Sequence, residues 1–234
     1  MPNKNKILFL GRGVIAERCL ASLLDIHSLQ VSAICSNKNP NQFWWKSNEI
    51  YRTAKMFNLP FIDNKVRNEA QVLNVIKEHD IGTLISIQHT WILPEEALSL
   101  VCNRAYNLHN ALLPDYKGFY TIAHEIANGE HMHCSTIHRM APKVDTGDVL
   151  AQASQVIFSC DTAKTVFWKS VDLSVNMFRQ FISRFACNFA LHPTPIPLGG
   201  KFYNTADFVA LKAELKSKKT TKARKARIIR ALDF

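Results

Sequence analysis

The run at residues 81–87, Ile-Gly-Thr-Leu-Ile-Ser-Ile, constrains the fold more than any other stretch of this 234-residue chain. Nearly every residue in it is apolar or small, without the alternation of a strand that has one wet face. Such a strand is buried on both sides, as in a parallel sheet covered by helices. The flanking segments agree. Residues 6–10 form another short apolar run, followed by a Gly11-Arg12-Gly13 turn and a helix-like stretch to Leu24. Residues 30–35 and 60–62 read as further strands. Helical spacing lies between them through Tyr51, Ala54 and Phe57, and residues 69–78 carry Val72, Val75 and Ile76 at the same period. Pro94-Glu95-Glu96 makes a helix start. Strand alternating with helix in this way predicts an α/β, Rossmann-like, doubly wound and mostly parallel sheet. Ligands of open sheets bind outside the carboxyl ends of the strands. Gly11, Gln88 to Leu93 and Asn107 to Gly118 are therefore expected on one rim.

The opening Gly-x-Gly-x-x-Ala also invites a dinucleotide reading. That reading needs an acidic residue after the second strand to hold the ribose, and Ser36-Asn37-Lys38 stands there instead. The glycines then serve a tight turn and close helix packing. Residues 39–47 are expected to be a polar loop holding Trp44 and Trp45. Residues 121–128 should be a helix stopped by Gly129. Asp161 or Thr162 can cap a long helix reaching about residue 190, with Phe167, Val171, Val175, Phe178, Ile182 and Phe185 on its core side. A Pro- and Gly-rich stretch then leads to Lys201-Phe202-Tyr203 and a basic helix-like tail. The division expected is a catalytic domain at 1–190 and a small extension at 191–234.

Charge and cysteine usage narrow the function classes. Between Lys212 and Arg230 nine Lys or Arg face Glu214 alone, a local +8 out of a total of +10. The rest of the chain is nearly neutral, and no basic stripe with interleaved aromatics marks a nucleic-acid surface. The tail reads as a solvated helix or a dimer-edge segment. The six cysteines are scattered, lack any Cys-x-x-Cys and mostly lie in apolar runs, which predicts small buried thiols in a reducing compartment. No run reaches the roughly 18 apolar residues of a membrane span, and residues 1–6 show no signal-peptide pattern. A soluble, cytoplasmic protein is expected.

The chemistry concentrates in residues 106–118, Tyr-Asn-Leu-His-Asn-Ala-Leu-Leu-Pro-Asp-Tyr-Lys-Gly. Its first part reads as a strand end, where side chains two apart share a face. Asn107 and His109 then point together, an amide that can donate to an oxygen gaining charge and an imidazole that can move protons. Pro114, Asp115 and Gly118 are expected to break the chain into a loop. Taken alone, Asn-x-His is most simply a surface turn. A second stretch, residues 136–152, places Asp145 between two strand-like runs, within reach of His109. His124, His131, His133 and His138 show no metal-ligand spacing, and His131 and His133 are expected at the surface. No metal is expected. Arg12 and Lys117 are cations suited to a phosphorylated substrate.

Together the two stretches resemble the folate-dependent formyltransferases, whose pattern is Asn-x-His, Leu-Leu-Pro-x-Tyr-(Arg/Lys)-Gly, Thr-(Ile/Leu)-His-x-Met and Asp-x-Gly. The resemblance implies the formyltransferase fold and transfer of a formyl group from N10-formyltetrahydrofolate to a primary amine. Asn107 would donate to the oxyanion, His109 would donate or shuttle a proton, and Asp145 would orient the imidazole and stabilise its charged form. Folate would lie along Trp91, Ile92 and Leu93 and the loop from Ala141 through Val144 to Asp145. Lys117-Gly118-Phe119-Tyr120 and His138-Arg139-Met140 are similar to the branch that formylates nucleotide-linked aminosugars. That branch implies a dTDP-linked 4-amino-4,6-dideoxysugar destined for surface polysaccharide, contacts from Phe119 and Tyr120, and a homodimer. Tyr203, after the Gly199-Gly200 turn, is an aromatic ring that could stack on the base. Thr121 and Ala111 depart from the branch's usual Pro and Ser. The alternatives are the glycinamide ribonucleotide enzyme of purine synthesis and a non-catalytic nucleic-acid-binding protein. Transfer to methionyl-tRNA is disfavoured, since those enzymes carry a further C-terminal domain.

Overall fold

The first strand, β1 (Asn3–Gly11), is central to a seven-stranded sheet because its neighbours supply apolar partners on both sides. On one side lie β2 (Gln30–Ser36) and β3 (Phe61–Asp63), both parallel. On the other lie β4 (Ile81–Ile87) and β5 (Ala105–His109), also parallel. A short strand, β6 (Tyr116–Gly118), stands apart. Then β7 (Met132–Arg139) and β8 (Val149–Val156) continue the main sheet antiparallel, giving the order β3-β2-β1-β4-β5-β7-β8. A last strand, β9 (Lys201–Tyr203), pairs with β6 in a separate two-stranded sheet. This is a computed structural model, and it describes residues 2–38, 47–197 and 199–233. The loop expected to hold Trp44 and Trp45 falls outside the described residues, apart from its last residue, Ser47.

Alternation along β1 sorts the core into two layers. Ile7 and Phe9 join one apolar cluster, Leu8 and Leu10 the other. The first cluster is covered by α1 (Gly13–Leu24), α2 (Glu49–Met56), α5 (Thr121–Asn128) and the long α6 (Ala163–Ala186). The second is covered by α3 (Glu69–Glu78) and α4 (Glu95–Leu100). The expected double winding is therefore present. Helix α6 buries Val166, Phe167, Val171, Val175, Phe178 and Ile182 at helix period, and each such side chain contributes roughly 1.5–3 kcal/mol. Thr162 caps it reciprocally with Thr165. The helix ends at Ala186, four residues short of the expected limit, as Asn188 turns left-handed at φ 55°.

Beyond α6 the chain does not leave the core. Leu211 of α7 (Thr205–Glu214), with Ile228 and Ala231 of α8 (Lys222–Ala231), belongs to the first cluster. The basic tail is docked, which corrects the solvated helix expected from its charge. Arg224 and Arg227 donate to the carbonyl of Ala127 at the C-terminal end of α5, where a cation is favoured. Arg224 also pairs with Glu214, and Arg230 donates to the carbonyl of Asp161. Of the thiols, Cys19, Cys35 and Cys134 are buried as expected, whereas Cys102, Cys160 and Cys187 are exposed, each in a turn or at a helix end. Among the described residues no helix is long and apolar enough to cross a membrane.

Candidate active site

Winding outward in both directions from the middle of the sheet opens a crevice where β1 and β4 end. Arg12, just past β1, bridges it by donating from Nε to the carbonyl of Gln88, 3.0 Å away and just past β4. From this crevice a cavity of about 910 Å³ runs over the end of β5. Such a site is where open α/β sheets take their ligands. Its wall contains Asn107 and His109, as the two-residue spacing predicts; Leu108 between them also borders it but is 3% exposed and packs into the core.

Asn107 lies directly opposite His138 in the antiparallel β5–β7 ladder. The His138 Nδ1–H donates to the Arg139 carbonyl at 2.7 Å. Its Nε2 is then a lone pair, and it accepts from Asn107 Nδ2 at 3.1 Å. One N–H of the amide is fixed by the sheet, and the other remains for a ligand. His109 is held differently. Its Nε2–H donates to the carbonyl of Tyr116 at 2.7 Å, so in the neutral ring Nδ1 is the basic atom. That atom stands 3.7 Å from Asp145 Oδ2, beyond a hydrogen bond but within ion-pair range once the ring is protonated.

Asp145 sits in a left-handed turn (φ 52°) between β7 and β8 and is only 8% exposed. The turn folds back because Gly147 has no side chain: a Cβ there would come within 2.0 Å of the Arg139 carbonyl oxygen. Burial alone would push the Asp145 carboxyl up. The His109 imidazole, a contact with His138 and the Gly118 N–H, which donates to Oδ2 at 2.9 Å, outweigh it and bring the carboxyl down to about 2. An acyl oxygen acquiring charge, a base and a fixed anion to balance that base can all be served on this wall.

The same cavity is lined by Trp91, Ile92 and Leu93, by Ala141 and Val144, and by Arg12, Phe119 and Tyr120. Two expected residues are not on it, which corrects the reading that gave them substrate contacts. Lys117 Nζ donates to the Gly199 carbonyl at 2.7 Å and does not line the cavity. Tyr203 is 6% exposed, with its ring stacked on Tyr116 and His124, so it cannot stack on a base. His133, expected at the surface, is fully buried and pairs with Glu125 at 2.7 Å. Its Nε2 contacts the Asn110 side-chain oxygen behind the cavity wall.

Sequence reasoning missed several lining residues. His138 lay inside the quoted motif, and pairing β7 with β5 would have placed it beside Asn107. His89 also lines the cavity. Burial first, then the charge of Arg12, lowers its imidazole to about 4 and keeps it neutral near pH 7. Phe202, Phe208 and Lys212 come from the C-terminal elements, and Phe208 stacks on Tyr120 at 4.2 Å. No local motif announces them.

Comparison with known proteins adds family to geometry. The family described as formyl transferase matches residues 5–182. A methionyl-tRNA formyltransferase of Blochmanniella pennsylvanica is 24% identical over 180 residues, covering 77% of this chain and 56% of that protein. The chain spans about half the length of the curated relatives it matches. WlaRD, a sugar 3N-formyl transferase solved in the presence of dTDP and 5-N-formyl-THF, superposes with a TM-score of 0.79 at 24% identity, covering 98% of this chain and 79% of that one. The phosphoribosylglycinamide formyltransferase of Anaplasma phagocytophilum gives 0.67 at 20% identity, covering 80% of this chain and 89% of that one.

Proposed function

The chain belongs to the formyl transferase family, and on that premise we propose that it moves a formyl group from N10-formyltetrahydrofolate to the amino group of a nucleotide-linked aminosugar. The convergence of Asn107, His109 and Asp145 on the wall of one cavity carries the reading. Its apolar lining, Trp91 to Leu93 with Ala141 and Val144, suits a flat pterin. Arg12, Phe119, Tyr120, Phe202, Phe208 and Lys212, which also line it, suit a nucleotide: cations for phosphate and rings for a base.

The chain's own residues divide the work. As the acceptor nitrogen bonds to the formyl carbon, the carbonyl oxygen gains charge, and the free N–H of Asn107 donates to it. His109 Nδ1 takes the proton released by that nitrogen, and Asp145 balances the imidazolium. The same proton is returned to the folate nitrogen as its bond to the formyl carbon breaks. The products are an N-formyl amine and tetrahydrofolate, with no proton gained or lost overall. His138, through its contact with Asn107 Nδ2, keeps the amide turned the right way.

A sugar acceptor is favoured over glycinamide ribonucleotide because the C-terminal elements contribute to the cavity lining. They also fall within the 98% of the chain matched by the sugar enzyme, against 80% for the purine enzyme. The sequence points to a dTDP-linked 4-amino-4,6-dideoxysugar. The test is an assay of purified protein with N10-formyltetrahydrofolate and a panel of dTDP-3-amino sugars, dTDP-4-amino sugars, glycinamide ribonucleotide and methionyl-tRNA. Turnover with a 4-amino sugar is expected. Turnover confined to glycinamide ribonucleotide or tRNA would overturn the acceptor assignment.

A further inference from the structure

The strand that holds His109 and Asp145 depends on a strand from the far end of the chain. Tyr116 offers its carbonyl to His109 and Gly118 offers its N–H to Asp145, so β6 fixes the imidazole and the carboxylate together. β6 has three residues, and its sheet partner is β9. A two-stranded sheet of that length has little stability of its own. Its rigidity must come from side chains. Tyr116 and Tyr203 stack at 5.5 Å with their planes 9° apart. Asn128 Nδ2 donates to both phenol oxygens, at 3.1 Å each. Tyr116 in turn donates to Glu130 at 2.7 Å, and His124 stacks on the Tyr203 ring at 4.1 Å. The backbones are equally close. The N–H of Phe119 donates to the Tyr203 carbonyl at 2.9 Å, and a Cβ on Gly118 (φ 87°) would lie 2.2 Å from that oxygen.

We propose that β9, through Tyr203, is a positioning element for catalysis, clamping β6 so that His109 and Asp145 meet at the reacting carbon. Tyr203 does not line the cavity, and it lies outside the segment, residues 5–182, that matches the family. The inference rests on the assignment of His109 and Asp145, not on which acceptor is used. Displacing a catalytic group by about 1 Å can cost on the order of 10² in rate.

The test compares Tyr203→Ala and Tyr203→Phe in the full chain. The alanine variant removes the stack and should lower kcat by about 10- to 100-fold while leaving KM for folate and acceptor within about twofold. The phenylalanine variant keeps the stack, gives up one hydrogen bond, and should restore kcat to near wild type. A second readout needs no substrate: nitrogen-detected NMR of the His109 imidazole. The wild type should show a slowly exchanging Nε2–H, and Tyr203→Ala should lose that protection and shift the ring's titration. If the acceptor assignment fails, this signal still reports the clamp. Should Tyr203→Ala not fold, Asn128→Ala loosens the same stack and carries both measurements. A variant with reduced melting temperature but unchanged kcat and unchanged His109 titration would overturn the proposal.

Discussion

The two halves of the site are built on different supports. Asn107 and His138 face each other across adjacent strands of the seven-stranded sheet, and their contact follows from ladder register alone. His109 and Asp145 are aligned by a three-residue strand whose sheet partner arrives from the C-terminal segment. The first half is as rigid as the core. The second is as rigid as a small stack of aromatic rings. A site divided this way can have a fixed electrostatic cradle beside an acid–base pair that is easier to disturb, and each half can be broken without the other.

The largest effect should come from the half held by the small sheet. His109→Ala removes the only group on the wall assigned to move a proton, and a positioned acid–base is typically worth 10²- to 10⁴-fold. A loss of about that size in kcat/KM is expected, measured in steady-state formyl transfer, with the melting temperature little changed. Asn107→Ala on the sheet-held half should cost somewhat less, about 10²- to 10³-fold, mostly in kcat, because the amide serves the charged oxygen and not the ground state. Equal losses in kcat for Asn107→Ala and for the same change at Asn110 would contradict the assignment. Asn110 borders the same cavity, but its side chain is committed to Ser170, Ser135 and Ser174.

Acid stability sharpens the contrast from the side of folding. Asp145 titrates at about 2 in the folded chain against 3.8 for an ordinary carboxyl. A depressed carboxyl stabilises the fold fully above its unfolded value, and that contribution is lost as the pH falls toward and through the folded one. The shift corresponds to about 2 kcal/mol. Urea denaturation of wild type and Asp145→Asn should therefore differ more at pH 5 than at pH 2.5, by up to that amount. A gap that is independent of pH would mean that the carboxylate is not the group stabilised.

The same division explains what could be read from the sequence. The main sheet was legible because its strands are apolar throughout, as at residues 81–87, or end in polar-apolar alternation, as at 107–109. The catalytic loop was legible because Asn107 and His109 share a face whatever they pack against. The small sheet was not. Residues 116–118 carry a Lys and a Gly and look like a turn, and nothing local links them to 201–203. Tyr203 and Lys117 were assigned to substrate for their chemistry alone, and tertiary contacts claimed both. His133 failed in the opposite sense: a polar residue after a glycine reads as surface, yet Glu125 on the preceding helix pairs with it in the interior. The basic tail misled in the same way, since net charge records neither carbonyls nor helix ends.

Two imidazoles stand near the one carboxylate, His138 Nε2 at 3.5 Å and His109 Nδ1 at 3.7 Å, so distance alone does not say which is the base. Hydrogen bonding does. His138 Nε2 is occupied by the Asn107 amide, whereas the only protein group near His109 Nδ1 among the contacts described is Asp145. His138→Leu should thus leave proton transfer intact and only free the amide to rotate. A loss of about tenfold in kcat is expected, the smallest of the effects considered, since one orienting hydrogen bond is typically worth about 1 kcal/mol. The pH dependence of kcat should keep its wild-type inflection in His138→Leu and lose it in His109→Ala. The reverse pattern would exchange the roles of the two rings and move the acid–base function onto the rigid half of the site.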